Sequence, residues 1–230
     1  MGIRQDTRDR VEAQIIELGR QHLVTHGAAG LSLRAIARDL GMVSSAVYRY
    51  VASRDDLLTL LVVDAYSSLA DAVDQARQTG ADGWREDVAA IARAARQWAC
   101  GQPASWALLY GSPVPGYRAP AGQTVGPGTR VVGALFDAVA AGIAAGGIPP
   151  STGKVGQPLS GDFDRLREEF GFAGDDLAVA KCFTFWAGIV GAISLEVFGQ
   201  YGTDTVTDPS SVFELQLRLL IDLLAAPPQN

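Results

Sequence analysis

Residues 28 to 54 hold a set of side chains that could grip a polyanion. Arg34, Arg38, Arg49 and Arg54 stand there against Asp39 alone, a local net charge of +3. Ser44, Ser45, Tyr48 and Arg49 add hydroxyl, phenol and guanidinium groups over a short stretch. Groups of these types make hydrogen bonds to phosphate oxygens and to base edges. Ser32 and Ser53 each precede a helical run, and a helix N-terminus presents backbone N–H groups suited to phosphate. Asp56, three residues after Ser53, completes an Asp form of the capping box.

Two short helices must position these side chains. The first follows Ser32, runs to about Leu40 and buries Leu33, Ile36, Ala37 and Leu40. Gly41 interrupts it and supplies the positive φ that a tight turn needs. The second covers about Ser44–Tyr50, with Val43 and Val47 as its apolar side and Ser44, Ser45, Tyr48 and Arg49 opposite. A short helix, a glycine turn and a second short helix is the sequence form of a helix-turn-helix, whose second helix suits a major groove about 12 Å wide. The same spacing also occurs in helical proteins that bind nothing, so the pattern alone leaves both readings open.

The rest of the chain is helical by period, with no alternation that argues for a sheet. Helices are expected over 7–26, from Ser53 to about Arg77, and from Asp82 or Gly83 to about Ala99. Others are expected over Thr129–Ala145, from Asp175 to about Phe198, and from Asp208-Pro209 to about Ala225, stopped by Pro227-Pro228. The Pro- and Gly-rich stretch 111–128 reads as a loop, and 146–174 as a long loop with one turn at Phe163–Phe170. The fold class is all-α: a three-helix helix-turn-helix unit over residues 1–53, then a helical bundle over 54–230 entered by a connecting helix at 54–78.

Composition narrows the function. The 230 residues carry 19 basic and 25 acidic side chains, net −6, which taken whole argues against a nucleic-acid partner. Divided along the chain, residues 1–57 are net +1 and 58–230 net −7, so the acidity belongs to the second part. Cys100 and Cys182 are too few for a disulfide framework and read as small buried hydrophobes. The polar start has no apolar leader core, and the uncharged run Cys182–Leu195 is shorter than the roughly 20 residues a bilayer needs. It reads as a fully buried helix in a cytoplasmic protein without a membrane span.

Catalytic and cofactor chemistry finds no set of residues. His22 and His26 are the only histidines; they lie at a helix end and read as partners of the helix C-terminus, not as metal ligands. Gly147 to Gly153-Lys154 resembles a phosphate-binding loop, but the glycine spacing is one too long and Val155 replaces the required hydroxyl. No enzyme activity, cofactor or metal is expected.

The run from Leu31 to Leu58 resembles the DNA-binding domain of the TetR/AcrR family of transcriptional repressors. Ala37 and Gly41, Val43-Ser44, Tyr48-Arg49-Tyr50, and Ser53-Arg54 with Leu57 occupy the places of the family pattern. Val51 stands where an aromatic is usual, and Arg54 where a lysine is usual. The resemblance implies that Tyr48, Tyr50, Arg54 and Ser32 hold phosphates of double-stranded operator DNA. By the same resemblance Ser44, Ser45, Ala46 and Arg49 face base edges, and Arg34 serves either role.

The second half resembles a family C-terminal domain marked by a Trp and a His-Gly. Trp186, Gly191 and Ser194-Leu195-Glu196 match, with Val190 in place of the His. Trp106 to Gly111, then Pro113 and Pro115, resemble its central part.

The last two helices are apolar on several sides, which implies burial against a second copy and a homodimer. Trp98, Trp106, Tyr110, Phe136, Phe183 and Trp186 are expected to line a cavity for a small hydrophobic effector that releases the operator. The alternative is a helical small-molecule-binding protein or enzyme whose N-terminal unit is structural.

Overall fold

The computed structural model describes residues 3–79, 83–151, 153, 155–202 and 204–227, with the side chains of residues 3–6 excepted. Asp82, Lys154 and Pro228, named above, lie outside the described residues. Among the described residues there are ten α-helices and no strand. They are α1 (Ile3–His26), α2 (Leu33–Asp39), α3 (Ser44–Val47), α4 (Arg54–Gln78), α5 (Trp84–Gly101), α6 (Pro103–Tyr110), α7 (Ala121–Ala144), α8 (Leu159–Phe170), α9 (Asp176–Val197) and α10 (Pro209–Ala225). A 3-10 turn at Ala28–Gly30 follows α1.

Packing does not cut the chain at one point after residue 53. The first compact unit holds residues 1–68 together with 102–128, and the second holds 69–101 with 129–230.

The first unit closes over Ile15, Leu23, Leu33, Ile36, Val47, Leu57 and Leu61, with Leu108 of α6 and Val114 and Tyr117 beyond it packed on the same core. Burying such side chains contributes about 1.5–3 kcal/mol each. Gly19 lets α1 approach α4, because a Cβ there would stand 2.9 Å from Leu61. Arg20 of α1 then forks onto Asp64 of α4, Nε to Oδ2 at 2.8 Å and Nη2 to Oδ1 at 2.9 Å. The Tyr117 hydroxyl meets Thr59 Oγ1 at 3.0 Å.

In the second unit α9 lies against α10 and α5. Phe185, Ile189, Phe213, Leu217 and Ile91 are buried in its core. Arg96 of α5 forks onto Glu196 of α9 at 2.7 and 2.6 Å, with its guanidinium 5.3 Å from the Phe213 ring centroid. Lys181 donates to Leu224 O and Ala226 O, closing the end of α10.

Several expectations are corrected. α7 begins at Ala121, within the stretch read as loop, and continues through Pro127; Thr124 anchors its first turn by bonding Pro120 O through both N–H and hydroxyl. α8 is a twelve-residue helix, not one turn, held by buried Phe163, the i,i+3 pairs Asp162–Arg165 and Asp164–Arg167, and left-handed Gly171 at its end. α6 was not expected; Pro103 opens it and Trp106 anchors it.

α9 is not fully buried: Phe183 is 51% exposed, and Leu195 and the following Phe198 also face out. By length and composition alone α9 could cross a membrane, but it is a packed helix of this unit. Cys100 is exposed, whereas Cys182 is buried and its thiol is pushed up to about 12.

Candidate nucleic-acid interface

Local chemistry sets the helix-turn-helix. The Ser32 hydroxyl accepts from Ala35 N at 3.4 Å and starts α2. Leu33, Ile36 and Ala37 bury one side of that helix. Gly41 takes φ +67°, the left-handed conformation the turn requires. α3 is shorter than expected: it spans Ser44–Val47 and passes into a turn over residues 48–50. Val51 then enters the core. Ser53 caps α4 as predicted, accepting from Asp56 N at 3.1 Å, while the Asp56 carboxylate accepts from the Ser53 hydroxyl at 2.8 Å in place of the backbone bond of a full capping box.

The outward face carries the predicted site residues. Ser44, Ser45, Tyr48 and Arg49 are exposed, Ala46 and Tyr50 are half-buried, and Arg34 is exposed on α2. Tyr50 has the Arg8 guanidinium 6.0 Å from its ring centroid.

Val43 differs from expectation, and Arg54 and His22 have partners within the unit. Val43 does not form an apolar side with Val47: Val47 is fully buried, while Val43 is 71% exposed. Arg54 is held within its own unit, Nη2 donating to Ala28 O at 2.9 Å and Ala29 O at 3.3 Å. His22 likewise faces Asp39 at 2.8 Å across α1 and α2, away from the α1 carbonyls.

The six aromatics expected around one cavity are divided between the two units. Trp106 and Tyr110 belong to the first unit, their ring centroids 4.4 Å apart, and burial pushes the Tyr110 phenol well above its usual range. In the second unit Phe136 packs on Phe170 and Phe172, and exposed Phe183 stacks on Phe163. Trp186 is half-buried on α9. Trp98 lines a groove of about 860 Å³ between α4 and α5, with Ala72, Ala76, Ala90 and Ala94 along it and Gln75, Gln97, Glu86 and Arg93 at its polar positions. Arg93 is already forked onto Glu214 of α10 at 2.9 and 2.8 Å.

Two short helices joined by a glycine turn, with exposed hydroxyl groups on the second helix and a phenol and a guanidinium in the turn after it, have the form of a helix-turn-helix. Residues 15–61 match the profile of bacterial regulatory proteins of the tetR family, and residues 88–220 that of the tetracyclin repressor-like C-terminal domain. An HTH-type transcriptional regulator of Mycobacterium bovis is 66% identical over 226 residues, covering 98% of this chain and 97% of that one. One from Mycobacterium tuberculosis matches to the same extent. The crystal structure of regulatory protein SCO4313 is 33% identical, with a TM-score of 0.77 over 96% of this chain and 100% of that one. Bacillus subtilis FadR, solved in complex with stearoyl-CoA, shares the fold at 14% identity, with a TM-score of 0.65 over 91% and 97% of the two chains.

The chain belongs to the TetR family of bacterial regulatory proteins. It is a DNA-binding transcriptional regulator and not an enzyme; it dimerises and responds to a small-molecule effector.

Proposed function

We propose that α3 is the reading head of a cytoplasmic repressor, with Ser44, Ser45, Ala46 and Arg49 at base edges. Ser32, Tyr48, Tyr50 and Arg54 hold the flanking phosphates, and Arg34 reaches either. The supporting observation is the division of α3 and the turn after it: Val47 is fully buried while Ser44, Ser45, Tyr48 and Arg49 all stand in solvent. Two copies of this face in a dimer engage half-sites about one helical turn apart, or a multiple of that.

The test is a mobility-shift titration with the duplex upstream of the protein's own gene. Arg49→Ala should erase preference for that duplex over a scrambled one, and Tyr48→Phe should weaken both equally. Equal affinity of the wild-type dimer for the two duplexes at all salt concentrations would overturn the assignment.

The same reading places the effector in the groove beside Trp98, its apolar body on the alanines and a polar end toward Gln75 or Gln97. Effector binding there lowers operator affinity. Ala90→Trp fills the groove and should leave operator binding intact while abolishing release.

A further inference from the structure

Val43 is costly to the fold at its position. It is the N-cap of α3, with φ −65° and ψ 139°, and no side chain caps that helix. Ser, Thr, Asp and Asn are favoured there and valine is among the poorest choices. Its isopropyl group is also 71% exposed and takes no part in the core that buries Val47 and Val51. The cap interaction and the burial are thus both forgone, on the helix assigned to the major groove and next to Ser44 and Ser45, which are exposed.

The major groove offers one apolar feature, the C5-methyl of thymine, and an apolar side chain is its complement. We propose that Val43 is a specificity-determining residue that packs on a thymine methyl in each operator half-site. The inference rests on α3 being the reading head. Serine and arginine hydrogen bonds next to Val43 read donors and acceptors; Val43 reads a methyl group and no hydrogen-bonding atom.

The test uses a duplex enriched from a random library by the wild-type dimer. Each thymine is replaced in turn by deoxyuridine, which removes only the methyl. One thymine per half-site should then cost about fourfold in affinity, and about fifteenfold when both half-sites are changed, as expected for one buried methyl-sized group. Val43→Ala should weaken binding to the thymine duplex and show a smaller deoxyuridine penalty than the wild type.

Val43→Ser supplies the missing cap. It should match or exceed the wild type in thermal stability while losing the methyl preference.

A deoxyuridine profile identical in wild type and Val43→Ala overturns the inference alone, as does a Val43→Ser protein that melts below the wild type. A library that enriches no duplex overturns the reading-head assignment and the inference with it.

Discussion

Arg54 holds its own chain, and two substitutions separate that role from the proposed phosphate contact. Its Nη2 spans Ala28 O at 2.9 Å and Ala29 O at 3.3 Å, tying the start of α4 to the 3-10 turn after α1. A hydrogen bond from a charged group contributes about 1.5–3 kcal/mol. The side chain is 34% exposed, so solvent screening reduces this to about 1 kcal/mol.

Arg54→Ala should therefore lower the urea midpoint by about 0.5 M, for a slope of about 2 kcal/mol/M. Arg54→Lys, whose ammonium keeps the charge but not the fork, should lose about half as much. A guanidinium has five N–H donors, and those not on Nη2 remain for a phosphate. In DNA titrations across a salt series, Arg54→Ala should then reduce the log–log salt slope by about one unit per half-site, while Arg54→Lys leaves it unchanged.

Protomer concentration must be fixed in both assays, because dimerisation contributes to apparent stability. A destabilised Arg54→Ala with the full wild-type salt slope refutes the phosphate contact and leaves Arg54 an internal strut. A reduced slope with an unshifted midpoint refutes the tie.

The Arg96–Glu196 fork is largely shielded, with side chains 22% and 16% exposed, so Arg96→Gln and Glu196→Gln should show a coupling of about 2 kcal/mol in a double-mutant cycle read by urea unfolding. Glu214 is held below its ordinary value of 4.5, first by its hydrogen bond from Arg93. A carboxyl depressed in the folded state stabilises above its unfolded pKa, and that contribution is lost as pH falls through the folded one. Glu214→Gln should therefore be less stable than the wild type at pH 7 and converge with it as pH falls below about 5, narrowing the stability difference between pH 7 and pH 3. Leu219, 63% exposed on α10, lies among exposed Leu215 and Leu223, and Leu219→Glu should convert the dimer to monomer in light-scattering chromatography without loss of helicity.

What the sequence revealed and what it hid divide along the range of the forces involved. Ser32, Gly41 and the Ser53–Asp56 cap act on their own backbone within a few residues, so their residue types announced the helix-turn-helix before any packing was known. α8 carries an apolar stripe, Leu159, Phe163, Leu166 and Phe170 at spacings of four, three and four, but the stripe is short and the Gly- and Pro-rich residues before it read as loop. The start of α7 was hidden by Gly122, Gly126, Pro127 and Gly128, which read as loop one at a time. Aromatic content told nothing of position: Trp106 is wholly buried in one unit and Phe183 half-exposed in the other.

Charge is the case where the sum conceals the function. Outside the helix-turn-helix, five arginines are committed to carboxylates: Arg77 to Asp87, Arg93 to Glu214, Arg96 to Glu196, Arg130 to Asp71 and Asp74, and Arg167 to Asp176. Asp39, the one acid between Ala28 and Arg54, faces His22. Among the described residues no carboxylate lies within 4 Å of the Arg34 or Arg49 guanidinium. A net −6 therefore reflects residues 58–230, whose surplus acid repels DNA, and not the face proposed to meet it. Cations left unneutralised on a small face are the ones available to displace counterions from phosphate. Loss of Arg34 or Arg49 should therefore cost operator binding far more than loss of any arginine paired in the bundle, although each removes the same unit of charge.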